Sequence, residues 1–210
     1  MDPLRLRLIA VVMPPVVVAA LAMTHPTSLT VESASHWKQM HIWLIPVFPL
    51  LALGPWLVAR SVDRTAGVVV GLIAYAYATA YTTLDIIAGV VGGAIKEVEA
   101  GGLGIVFPLA GHFEDVGGIA YVLAAALAAG VAMNRTGWLL GAIPTVLVVL
   151  GGYLLWQHHI FRPWGPIAQV MLALGWGAFV LLLSRGAAAS TRDRASDRTS
   201  ARPGAAAPPA

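Results

Sequence analysis

The sequence predicts an all-α polytopic membrane bundle of six transmembrane helices with both termini on the cytoplasmic side, and three observations carry that expectation. Six apolar stretches, over 6–23, 42–59, 66–95, 116–133, 138–156 and 166–184, are each long enough to cross a bilayer, which takes about 20 predominantly apolar residues as a helix. Ten of the eleven arginines (5, 7, 60, 64, 135, 185, 192, 194, 198 and 202) fall on one side of the alternating stretches, leaving Lys38, Lys96 and Arg162 on the other. Arginine-rich short loops stay inside the cell, so the termini are expected to be cytoplasmic. Third, 58% of the 210 residues are hydrophobic and 11% charged, whereas about a quarter of a soluble domain is charged. The expected location is the cell membrane, with the histidine-rich face extracytoplasmic and the lipid bilayer as the constant partner.

The first stretch carries Arg5 and Arg7, an apolar run and Ala20-Leu21-Ala22, a pattern shared by cleavable signal sequences. Pro14 and Pro15 inside the run favour a retained, kinked helix. The following outer loop, 24–41, is polar, and Ser35 is a candidate cap for a helix starting near His36. Pro46, Pro49 and Pro55 bend the second span. Residues 60–65 form a short turn, so spans two and three make an antiparallel hairpin. Span three is the longest, which permits tilt. The outer segment 96–115 is polar at its ends and glycine-rich and apolar in the middle, and is expected to lie re-entrant or along the interface. A tight turn at 134–137 joins spans four and five, and 157–165 joins five and six. Residues 1–184 thus form the bundle. Residues 185–210, rich in Ala, Ser, Arg and Pro, are expected to be a disordered cytoplasmic tail.

Composition excludes several functions. Without cysteine there are no disulfides, thiolate metal sites or iron–sulfur clusters. The basic residues serve topology, and no basic helix is interleaved with aromatics, so no nucleic-acid partner is expected. Arginine outnumbers lysine 11 to 2, as in GC-rich bacterial genomes. No P-loop, nucleophile elbow, H-E-x-x-H or dinucleotide fingerprint occurs, which leaves a soluble-type enzyme mechanism nothing to stand on. No motif names a family.

Two groups of residues carry the remaining chemistry. Asp85 is the acidic residue deep in an apolar span, placed about 15 Å below the outer end of its helix at ~1.5 Å per residue. A buried aspartate costs about 2.5–3.5 kcal/mol on insertion scales, so it faces the bundle interior and invites a functional reading. It is expected to be protonated, or to be satisfied by hydroxyls such as Tyr81 or Thr82, by the backbone of a bent helix, by water or by a histidine reaching down. The second group is the outer set His36, His41, His112, His158 and His159, with Glu114 and Asp115 nearby. It suffices for a transition-metal site, although no two histidines have helical chelating spacing. His41 paired with His158 or His159 is also a candidate axial pair for a haem b.

The leading expectation is a protein that binds or moves a small solute or ion through an outward-facing polar cavity near Asp85. The alternatives are a haem- or metal-binding membrane redox protein and a non-catalytic accessory subunit. The oligomeric state and any partner subunit are not encoded in a readable form.

Overall fold

The computed structural model describes residues 2–200, with side chains to residue 186. It is all-helical, and no strand occurs among the described residues. Helix α1 spans Pro3–Ala22, with the Asp2 carboxylate accepting from the Leu4 N–H at 3.1 Å as its cap. Helix α2 (Val31–Val47) starts five residues ahead of the expected position. Thr30 and Ser33 form a reciprocal capping box there, which out-competes a cap at Ser35. A 3₁₀ turn, Phe48–Ala52, then leads into α3 (Leu53–Val62). Pro46 and Pro49 each lack an N–H for the α-ladder, which accounts for the tighter turn at this point.

Helix α4 (Arg64–Leu84) runs directly into a π-helical segment, Asp85–Val91, and then into α5 (Gly92–Glu97). The chain turns at 98–102, where Glu99 and Gly102 take positive φ values of 53° and 121°. Helix α6 (Leu103–Thr136) follows. The glycine-rich segment expected to be re-entrant is therefore not a separate feature. Its apolar centre forms the first turns of α6, because helix is the conformation that satisfies this backbone internally in an apolar setting. Helices α7 (Trp138–His158) and α8 (Trp164–Ser200) complete the chain. The expected tail overlaps the end of α8, and residues 201–210 lie outside the described part.

Six helical units are long and apolar enough to cross a membrane: α1, α2–α3, α4–α5, α6, α7 and the part of α8 up to Gly186. Helix α6 sits centrally, against α4 on one side and α7 on another, while α8 packs on α7 and α1. Ala124, Ala125, Ala128, Ala129 and Ala132 are all buried on α6. Side chains this small let neighbouring helices approach closely. Outward-facing positions are apolar instead: Leu139 is 72% and Ile143 71% exposed.

Arg7 lines one groove with Ser61 and Ser184, and Arg135 lines another with Arg185, so these arginines gather at one end of the bundle. Toward the other end, Lys38 on α2 pairs with Glu97 on α5.

Candidate functional site

Asp85 is the first residue of the π segment and is completely buried. A π turn holds one more residue per turn than the α-helical pattern, so it leaves carbonyls out of register and re-aims the side chains around it. One such carbonyl, that of Ala88, accepts from the Trp37 indole N–H at 3.2 Å. This cross-link docks α2 on the π segment. Gly89 lies directly under the His41 ring, and a methyl group there would overlap the imidazole. The combination of a wide turn and a missing side chain creates the space into which His41 leans.

His41 is itself held in one orientation. Its Nδ1–H donates to the Trp37 carbonyl one turn back, at 2.7 Å, which leaves the Nε2 lone pair free. That Nε2 lies 4.0 Å from Asp85 Oδ1. His159 approaches from the far side, with its Nε2 3.7 Å from the same oxygen. The two imidazole planes are nearly parallel, 12° apart, with centroids separated by 6.2 Å. One ligand atom from each of His41, Asp85 and His159 falls within 4.8 Å of the others.

His159 reaches this position through an unusual backbone. It ends α7 with φ 49° and ψ −117°. A non-glycine residue with such values costs about 1–3 kcal/mol and persists only where surrounding contacts impose it. Part of that imposition comes from Tyr81, whose hydroxyl donates at 3.0 Å to the carbonyl of Leu155 in the last turn of α7. Carbonyls at that end have no intrahelical donor. Tyr81 therefore fixes the helix end from which His159 turns inward.

Hydrogen bonding within the site is incomplete. Both carboxylate oxygens of Asp85, Nδ1 of His159 and Nε2 of His25 are buried and have no hydrogen-bond partner among the described residues. Such atoms normally cost about 1–3 kcal/mol each when left unpaired. Gln169 on α8 is also buried without partners and is not part of the cavity lining; nothing in the structure explains it. Beside Asp85 lies a cavity of about 130 Å³, bordered by Trp37, His41, Phe107, Glu114, His159 and Phe161.

Of the residues singled out from the sequence, Asp85, His41 and His159 come together and Glu114 borders their cavity. The others do not join them. Thr82 back-bonds to the Ala78 carbonyl of its own helix at 2.7 Å, and Tyr81 serves α7 instead of Asp85. His36 is exposed and bonds the Thr24 carbonyl at 2.9 Å, tying down the first loop. His112 is exposed, His158 stacks on Trp164, and Asp115 accepts from the Trp156 indole at 3.1 Å. His25 is not among the residues that the sequence singles out, yet it is 2% exposed and its ring lies 5.4 Å from that of His41. Its only signal is Thr-His-Pro directly after an apolar span, a place where burial is not expected.

Comparison of the chain with protein-family models, curated proteins and solved structures gives no match. The functional reading therefore rests on the site alone.

Proposed function

We propose that the chain is a six-span membrane protein, termini inside, that binds a divalent transition-metal ion at His41, Asp85 and His159 in a cavity reached from the extracytoplasmic side. The observation that carries this reading is the pair of Asp85 carboxylate oxygens, buried without a hydrogen-bond partner among the described residues and faced by two imidazoles. Two imidazole Nε2 atoms stand 3.7 and 4.0 Å from one carboxylate oxygen, too far to hydrogen-bond and near the spacing that a shared ion imposes. Metal–ligand bonds of ~2.1 Å in a tetrahedral arrangement separate neighbouring donors by about 3.4 Å. Two imidazoles with one carboxylate suit zinc, iron, cobalt, nickel or copper, whereas magnesium and calcium demand oxygen ligands. The Nδ1–H bond of His41 to a backbone carbonyl is the outer-shell support that ligating histidines use.

The ion explains the aspartate as well. Among the described residues no lysine or arginine pairs with Asp85, so a bound cation supplies the charge that makes a buried carboxylate tolerable. A haem fits the same residues poorly. The cavity of about 130 Å³ is below the ~300 Å³ of pockets that hold small organic molecules. The topology follows from the arginine-rich end of the bundle, which the charge rule places in the cytoplasm and which leaves the histidines outside.

The test is metal content and calorimetric titration of the protein purified in detergent. Zinc or cobalt should bind at one equivalent while magnesium and calcium do not, and Asp85→Asn should abolish binding without unfolding the protein. Equal zinc binding by wild type and Asp85→Asn would refute the site.

A further inference from the structure

We infer that His25, on the loop between α1 and α2, is a fourth ligand that closes the proposed metal site from the outer side; this inference rests on the three-residue site proposed above. Three observations converge on it. His25 is buried, although it lies in a polar loop, and its ring meets those of Trp37, Phe161 and His41 at 4.6, 4.5 and 5.4 Å in edge-to-face arrangements. Its Nδ1–H donates at 2.6 Å to the Pro26 carbonyl, so the free lone pair is on Nε2, the same tautomer that His41 adopts. That Nε2 is buried with no partner among the described residues. A histidine that needed only to pack would be better replaced by an apolar ring, and one that needed only a hydrogen bond would not hide its second nitrogen.

The loop is built to deliver such a ligand. Its start is tied by the Thr24 hydroxyl to the Leu21 carbonyl and by His36 to the Thr24 carbonyl. Its end is tied by the Ser33 hydroxyl to the Ser28 carbonyl and by the capping box of α2. His25 lies between these anchors, with its ring 5.4 Å from that of His41. Side-chain rotation toward His41 completes a His₃Asp set. Four protein ligands make a closed tetrahedral centre, whereas the three without His25 leave a position open to water. The loop thus decides whether the ion is held or exchangeable.

Cobalt(II) titration of the full-length protein, read by visible absorption, separates the fourth ligand from the three-residue site beneath it. Wild type should take up one cobalt with the strong absorption of a four-coordinate tetrahedral centre. His25→Phe, which keeps an aromatic ring in the Trp37–Phe161 pocket, should still bind one cobalt, about 10–100-fold more weakly. Its spectrum should be weak, that of a higher-coordinate centre completed by water. His25→Gln provides the same readout if the phenylalanine variant does not fold. An unchanged spectrum and affinity in a folded His25 variant would overturn the role of His25 while leaving the three-residue site intact. Failure of wild type to bind cobalt or zinc would overturn both.

Discussion

Two buried polar layers lie one helical turn apart in this bundle, and they obey different rules. In the tyrosine layer, Tyr77 donates to the Phe48 carbonyl at 3.3 Å, Tyr81 to the Leu155 carbonyl at 3.0 Å, and Tyr121 accepts from the Trp176 indole at 3.2 Å. Their rings also pack on one another, with centroids 4.9 and 4.7 Å apart. Every phenol there is fully buried and has a partner. Four residues on from Tyr81 comes Asp85, where two carboxylate oxygens and two imidazole nitrogens have none. The first layer is closed by the protein alone and serves stability. The second leaves its polar atoms unpartnered among the described residues, and the proposed ion would complete it.

The contrast can be broken most sharply at Asp85. Asp85→Asn should lower zinc affinity by more than about 100-fold, a larger loss than outer-shell changes produce. It should not lower the thermal midpoint of the metal-free protein, because the amide removes an unpaired carboxylate. Added zinc should raise the wild-type midpoint, by about 2.7 kcal/mol of stabilisation at a hundred times Kd, and leave that of the variant unmoved. A fall in the metal-free midpoint would show that the carboxylate is structural after all.

Gly89→Ala comes next. Its methyl group displaces the His41 ring without touching a ligand atom's identity, and affinity should drop by about 10–100-fold; isothermal titration reads the change. Tyr81→Phe tests the seam between the layers. Losing its bond to the Leu155 carbonyl should cost about 1 kcal/mol of stability and weaken zinc binding slightly through His159. Tyr77→Phe should cost a similar ~1 kcal/mol with no change in zinc affinity, and a change would mean that the tyrosine layer is part of the site.

The smallest effect is on pH. Burial, and next the neighbouring His41, push the pKa of His25 in the folded protein down to about 4, against an ordinary value of 6.5. Between these values the unfolded chain binds the extra proton, so stability falls as pH drops from 6.5 toward 4 and levels off below. Thermal midpoints of metal-free wild type should show that decline, and His25→Phe should make it shallower by the part that His25 contributes.

How much of this is legible in the sequence differs by level. The six apolar stretches match the six long helices because hydrophobic length is a local property. The π segment is not legible, since Asp85–Val91 has the same apolar content in either helical form. The height of Asp85 relative to its neighbours is hidden for a related reason. Counted along its own span, it lies well below the outer end, which α5 carries on to Glu97. Helix α7, however, ends at His158, at the level of the aspartate. The outer rim of the bundle is uneven, so a histidine just beyond the end of one helix meets an aspartate deep in another. Counting within single spans does not reveal relative height. His41 and His159 are recognisable as candidates by chemistry, yet their pairing through Asp85 depends on that unevenness. His25 escapes a reading of the sequence because loop histidines are usually solvated, and only tertiary packing shows that this one is enclosed.

The π segment also makes the outer rim answerable to a single residue count. Deleting one residue from 86–91 would return the span to an uninterrupted α-helix without making it less apolar. Everything beyond the deletion would then swing about 100° around the helix axis and drop by ~1.5 Å. Glu97 would leave Lys38, and a deletion at or before Gly89 would also replace the glycine floor beneath His41 by a residue with a side chain. A chain shorter by one amino acid would keep a helix long and apolar enough to cross a membrane, yet lose the geometry of the proposed ion site.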